Sequence, residues 1–239
     1  MNYSFEPQLF DTTLFGFAVA KITTIESLGD VDATISELVE NLKKEHVRYA
    51  TYRVHANDFK LIHSLEDHVF RLVDGLISLE LTQFEAPKTK SEYIHPASLE
   101  DLEKLKHIAQ TSFELNRFYN DSVIQKEKAD ELYGKWIENS IKGEAADTVL
   151  IYTEEDTILG FLTLSRNGHI PLIAVSKDAR GKGTAKKLIQ ESFAYFKKWN
   201  IEKLTIETQM GNIPALRAYG TCGFKIVDSH LTFRWTDLG

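Results

Sequence analysis

A single cysteine, Cys222, is all the chain contains, so no internal disulfide framework can form, and the composition fits a reducing cytoplasm. No apolar run approaches the ~18 residues of a membrane-spanning helix. Nor does a basic-then-apolar leader open the chain. The eight histidines never fall at His-x3-His spacing and no cysteine cluster accompanies them, so no metal is expected. Basic residues are scarce: 28 Lys and Arg stand against 35 Asp and Glu, for a net charge of -7. A general nucleic-acid binder would carry a dominant basic face instead. Internal repeats and low-complexity tracts are also missing. What is present, 43% hydrophobic and 26% charged residues over 239 positions, suits a cytoplasmic globular protein of one large or two modest domains.

Against this acidic background one stretch is basic. Ile170–Tyr195 begins as an apolar run of strand character, passes a charged turn, and becomes a helix. Ala185, Leu188, Ile189, Ser192, Phe193 and Phe196 share its inner face. The junction reads Arg180-Gly181-Lys182-Gly183-Thr184-Ala185, and Lys177, Arg180, Lys182, Lys186 and Lys187 surround the lone acid Asp178. Glycines there free the backbone to present N–H groups, and the helix N-terminus adds the positive end of its dipole. The junction therefore suits an anion, most simply a phosphate. Its spacing is neither that of a Walker loop nor Gly-x-Gly-x-x-Gly, and a glycine turn capping a surface helix has the same local pattern.

The polar, proline-punctuated segment Ala86–Glu92 divides the chain into a small N-terminal α/β domain, 1–86, and a larger domain, 92–239. In the first, Phe15–Ile22 reads as a strand entered through Gly16, and Asp30 and Asp58 can cap helices. Tyr49–His55 and Leu76–Phe84 alternate as half-buried strands. In the second, Ser98 can cap a helix, and Glu127–Ile141 forms another that ends at Gly143. Between them lies a polar and aromatic loop, 110–125. Strands are predicted at Thr148–Thr153, Thr157–Ser165 and His169–Val175, the last an edge or bulged at Pro171. Beyond the central helix come a strand at Lys203–Thr208 and a helix at Asn212–Thr221 closed by Gly223. Phe224–Asp228 and Leu231–Trp235 are the last two predicted strands.

Two motifs then carry a resemblance. Val175-x4-Arg180-x2-Gly183-x-Ala185 and Asn212-x2-Ala215-x3-Tyr219-x3-Gly223-Phe224 resemble the paired signatures of the GNAT acyltransferases, in the same order and on matching strand–loop–helix and helix–strand contexts. Over nearly its whole length the chain is also similar to the dTDP-fucosamine acetyltransferase family. That similarity rests on the opening F-D-T-T-L-F-G-F-x-V-x-K-I, on Tyr133-x2-Trp136-Ile137-Glu138-Asn139-x3-Gly143, and on Thr208-Gln209-Met210-Gly211-Asn212. It departs from that family at Ala218, where an arginine precedes the motif tyrosine (the arginine here is Arg217), and in the composition of 110–125.

The resemblance implies an α/β (α+β) GNAT fold. Its mixed twisted sheet has splayed central strands flanked by helices, and a smaller N-terminal α/β domain is attached. It implies acetyl-CoA as co-substrate. Its pyrophosphate would lie on the N–H groups of Arg180, Gly181, Lys182, Gly183, Thr184 and Ala185, and its pantetheine along Ile173, Ala174 and Val175. Asn212 would touch it too, while also suiting a helix N-cap. An oxyanion would be met by a backbone N–H near Ile173 or Ala174. Tyr219, a phenol on the same helical face as Asn212 and Ala215, would protonate the leaving thiolate; a core aromatic has the same placement. No general base is assigned: Glu207 and His169 lie at strand ends, and a water chain would suffice. The acceptor implied is a small molecule, the amino group of a dTDP-linked amino-dideoxy sugar, with polysaccharide biosynthesis as the setting. Arg117, Phe118 and Tyr119 are the candidates for its diphosphate and thymine. The alternatives are a GNAT enzyme for another small amine or a protein N-terminus, and a silent acyl-CoA-binding module.

Overall fold

A computed structural model of the chain describes residues 2–26, 29–113 and 116–238. In chain order the elements are β1 (Tyr3–Pro7), α1 (Leu9–Phe15), β2 (Val19–Ile25), α2 (Val31–Lys44), β3 (Tyr49–His55), α3 (Phe59–Asp67) and β4 (Arg71–Leu81). Next come β5 (Ile94–Pro96), α4 (Leu102–Ser112), α5 (Arg117–Asn120), α6 (Lys126–Ile141), β6 (Thr148–Glu154), β7 (Thr157–Leu164), β8 (His169–Ile170) and β9 (Ile173–Val175). The order ends with α7 (Thr184–Lys198), β10 (Leu204–Gln209), α8 (Ile213–Thr221) and β11 (Lys225–Thr236). The chain forms two compact units: Met1–Leu76 with Asn116–Lys128 and Ser229–Gly239, and Ile77–Leu115 with Ala129–Asp228.

In the first unit β1 runs antiparallel to β2, β2 parallel to β3, and β3 antiparallel to residues 230–236 of β11. The parallel step needs a crossover, and α2 supplies it. Helices α2 and α3 start where their caps allow. Asp30 accepts the N–H of Ala33 at 3.0 Å and Asp58 that of Leu61 at 3.2 Å, each cap contributing about 1 kcal/mol. Their inner faces, with Ile35, Leu38, Leu42 and Leu65 removed from solvent, close over Val54, Phe233 and Trp235. The predicted strand at Phe15–Ile22 is corrected: Leu9–Phe15 is helical and Gly16, at φ 80°, closes it in the left-handed region. The strand begins only at Val19, whose N–H is taken by Thr12 Oγ1 at 2.9 Å.

In the second unit β5, β6, β7 and β9 form an antiparallel sheet in that order, while β4, β10 and β8 lie side by side with β8 parallel to β10. Helix α7 buries Leu188, Ile189, Phe193 and Phe196 against Leu150, Leu162 and Ile206. Its spacing is the one the sequence predicts. The Ser98 cap is also found, as a capping box with Asp101 that opens a 3-10 turn before α4. The predicted strand His169–Val175 is two strands. Ile170 pairs with Ile206 of β10, whereas Ile173 pairs with Leu162 of β7, so the chain changes sheets at Pro171–Leu172. This is the splay that the resemblance implies.

Two further expectations change. The pair predicted at Phe224–Asp228 and Leu231–Trp235 is one strand, β11, because Ser229 and His230 continue the ladder; the carbonyl of Ser229 accepts the N–H of Ala56 at 3.0 Å. The loop 110–125 is shorter than expected: α4 runs to Ser112 and a helical turn, α5, occupies Arg117–Asn120. Glu114 and Leu115 of that loop lie outside the described residues. Among the described residues no helix is long and apolar enough to cross a membrane, and no cluster of three or more His, Cys, Asp or Glu has metal-binding geometry.

Candidate active site

The junction before α7 has the conformation its glycines permit. After β9 the chain makes a 3-10 turn at Lys177–Ala179, extends at Arg180, and passes through the left-handed region at Gly181 (φ 76°) and Gly183 (φ 81°). Gly183 is the N-cap of α7 and has no side chain to offer its first-turn N–H groups. A Cβ built on either glycine meets no atom within 4 Å, so open space lies beside both glycines. Arg180, Lys182 and Lys186 are exposed around it. Backbone donors, a helix dipole and three exposed cations make this junction suited to an anion. Thr184 is buried, its hydroxyl turned back to the Ala179 carbonyl at 3.4 Å. Lys187 is drawn away from the junction. Its Nζ donates to Tyr152 Oη at 2.8 Å and lies 4.8 Å from that ring's centre, which raises its pKa above the usual lysine value.

The divergence of β9 from β10 leaves backbone groups facing the splay. Leu172 accepts the N–H of Thr163, and Ser176 donates to the carbonyl of Leu159. These two bonds set the phase of the antiparallel ladder, so Ala174 is the residue paired through hydrogen bonds with Phe161. Ile173 and Val175 therefore turn their N–H and C=O groups away from β7. The Val175 carbonyl meets Ser112 Oγ and Arg180 Nε, each at 3.4 Å. Gly160, opposite Val175, was not singled out in the sequence. A Cβ there would lie 2.8 Å from the Ala174 carbonyl and 3.4 Å from Thr184 Cγ2. Only glycine lets β7, β9 and the start of α7 approach so closely, and a glycine inside an apolar strand was the available signal.

Tyr219 sits on α8 within the core that also holds Ile206 and Phe224, with Ile173 packed against it. Burial pushes its phenol above the usual value, and the neighbouring Cys222 adds to the rise. The phenol therefore keeps its proton at neutral pH. Asn212 caps α8, its Oδ1 accepting the N–H of Ala215 at 3.3 Å, while its Nδ2 donates to Thr208 Oγ1 at 3.1 Å. His169 Nδ1 is 3.0 Å from Thr205 Oγ1, and burial lowers its pKa against an opposing pull from Glu207. Glu207 is exposed and accepts a hydrogen bond from Ser78 Oγ at 2.9 Å.

Arg117, Phe118 and Tyr119 fall in the first unit, on α5. Asn116 caps that turn by accepting the Phe118 N–H at 2.9 Å. The Arg117 guanidinium lies 4.5 Å from the centre of the Phe118 ring and donates through Nη1 to Thr51 Oγ1 at 3.3 Å. Phe118 is buried, 6.1 Å from Phe15. Tyr119 is half-buried with Lys126 Nζ 5.6 Å from its ring centre. The turn is tied down by Asp121, which accepts Tyr49 Oη at 3.0 Å and Arg234 Nε at 3.1 Å.

Three comparisons bear on this arrangement. Residues 102–224, over half the chain, match the model of the Acetyltransferase (GNAT) family. The chain is 23% identical over 215 residues to spore coat polysaccharide biosynthesis protein SpsD of Bacillus subtilis, covering 88% of this chain and 74% of that protein. It is 24% identical over 230 residues to the dTDP-fucosamine acetyltransferase of an Escherichia coli strain, covering 93% and 94%. In fold it is similar to a GCN5-related N-acetyltransferase from Sphaerobacter thermophilus, with a TM-score of 0.66 and 13% identity over 98% of this chain and 76% of that one. Splayed strands, an anion-ready helix start and a sequence match over the same residues lead to one assignment: this chain belongs to the GNAT family of acetyltransferases.

Proposed function

We propose that the chain transfers the acetyl group of acetyl-CoA to the amino group of a dTDP-linked amino-dideoxy sugar, both substrates being bound together. One observation carries the choice of acceptor: two relatives, one named for polysaccharide biosynthesis and one for dTDP-fucosamine, align across nearly the whole chain, the first unit included. The guanidinium of Arg117 in that unit, with one hydrogen bond to Thr51, agrees with an acceptor that carries a diphosphate.

Acetyl-CoA supplies an activated thioester. The chain's own residues do the rest. The junction 180–185 holds the anionic end, and the backbone of Ile173 and Val175 orients the pantetheine arm. The Ile173 N–H, free of the β7 ladder, is the donor available to a developing oxyanion. Tyr219 delivers its proton to the departing sulfur, and the proton lost by the attacking amine passes through water and restores the phenol. Holding amine and thioester together supplies much of the acceleration. The test is CoA release measured across dTDP-amino sugars, free amino sugars, polyamines and peptide N-termini. Preference for a dTDP-amino sugar is expected; faster turnover of a free amine or a peptide would replace this acceptor.

A further inference from the structure

The opening motif F-D-T-T-L-F has no role in the chemistry above, yet it carries an ionisable group in an unusual position. Asp11 and Phe15 are four residues apart on α1 and share one helical face. Phe15 meets Phe118, and the Arg117 guanidinium covers the Phe118 ring. Asp11 and Arg117 thus flank the same Phe15–Phe118 contact. Burial raises its pKa above the ordinary aspartate value while the charge of Arg117 pulls it down. The two do not touch: among the described residues the Asp11 carboxylate receives no hydrogen bond and belongs to no ion pair.

The neighbouring charges are already matched. Asp121, fully removed from solvent, is taken up by Arg234 and Tyr49. That pair neutralises itself and leaves Arg117 and Asp11 as a separated cation and anion. Arg117 commits one donor, to Thr51, out of the five that a guanidinium carries. A half-buried carboxylate without a partner costs free energy unless something hydrogen-bonds to it. The group that completes the site must bring an anion to the guanidinium and hydroxyl or N–H donors to the carboxylate. A glycosyl diphosphate has that order of groups.

We propose that Asp11 is a specificity-determining residue for the acceptor. Its carboxylate accepts hydrogen bonds from the hydroxyl groups of the hexose whose diphosphate lies on Arg117. This rests on the sugar-nucleotide reading above and adds the residue that tells the sugar from the bare nucleotide.

Calorimetry without acetyl-CoA tests it, using dTDP and dTDP-4-amino-4,6-dideoxy-galactose as probes. Wild-type protein should bind the sugar nucleotide about tenfold or more tightly than dTDP, the size of a hydrogen bond to a charged group. Asp11→Ala should erase that difference while leaving dTDP affinity within about twofold. Asp11→Asn, the same shape without the charge, should retain only part of the difference, and it serves if the alanine variant fails to fold by circular dichroism. A folded variant with the full wild-type preference overturns the role of Asp11 alone. Equal loss for both probes also overturns it, since the residue would then only shape the turn. Wild-type protein that binds neither probe but does bind acetyl-CoA overturns the sugar-nucleotide reading, and this proposal with it.

Discussion

Thr163 holds both backbone groups of Leu172. Its N–H donates to the Leu172 carbonyl at 2.8 Å and its Oγ1 accepts the Leu172 N–H, also at 2.8 Å. Leu172 follows the proline at which the chain leaves β10 for β7, so this contact satisfies the residue that makes the splay. Thr163 is wholly buried. Thr163→Val keeps shape and strand propensity but leaves the half-buried Leu172 N–H without an acceptor, which costs about 1 kcal/mol. Urea denaturation should report that loss, and kcat should fall with it. A change below about 0.5 kcal/mol would mean that the hydroxyl does not hold the kink.

Gly183 separates backbone strain from charge. At φ 81° with nothing in front of it, Gly183→Ala pays only the left-handed conformation, about 1–2 kcal/mol of stability. Gly183→Asp pays the same and sets a carboxylate among the N–H donors. Acetyl-CoA affinity by calorimetry should fall more than tenfold for the aspartate and much less for the alanine. Equal affinities in both variants would remove the pyrophosphate from this junction.

Tyr219→Phe keeps a ring in a fully packed position and removes its proton. Acetyl-CoA binding should stay near wild type while kcat falls by roughly 10²–10⁴, the usual range for a lost general acid. Thiolate is a fair leaving group, so the smaller figure is expected. Turnover within about threefold of wild type would return Tyr219 to the core of α8 with no part in the rate-limiting step.

Alkaline stability follows from the same burial. Tyr219 and Tyr49 both have phenol pKa values raised above the ordinary 10.0, each chiefly by desolvation, Tyr49 also by the charge of Asp121. Above pH ~10 the unfolded chain has lost protons that the native phenols keep, so the unfolded state binds fewer protons and stability falls as pH rises. Denaturation midpoints should therefore drop beyond pH ~10. In Tyr219→Phe that alkaline drop should be shallower; an unchanged slope would mean the phenol ionises freely in the native state.

Arg117→Ala should raise KM for the sugar nucleotide by roughly 10–100-fold and leave KM for acetyl-CoA nearly unchanged. Initial rates at fixed co-substrate separate the two constants. A parallel rise in both would make α5 a structural turn.

Much of this protein is local enough to be read directly from the chain. Asp30, Asp58 and Ser98 accept N–H groups two or three positions ahead, and the alternation of Tyr49–His55 survives as β3. The face of α7 is the one its spacing dictates. The two motifs around Gly183 and Tyr219 identify the family because each is a short run whose backbone shape depends on its own residues. Other features depend on partners far along the chain. Phe15 and Phe17 flank a glycine in an apolar run that suits helix or strand, and only Gly16 at positive φ with Thr12 on the Val19 N–H settles where the strand begins. Pro171 signals an interruption, but Thr163 and Ile206 decide that the strand divides between two sheets. Asp121 and Arg234 are 113 residues apart, and their buried pairing ties α5 into the unit that holds β3. Nothing within a few residues of either encodes it. Caps and periodicities are satisfied within a turn or a strand of sequence, whereas burial and long-range pairing exist only once the chain has folded back on itself.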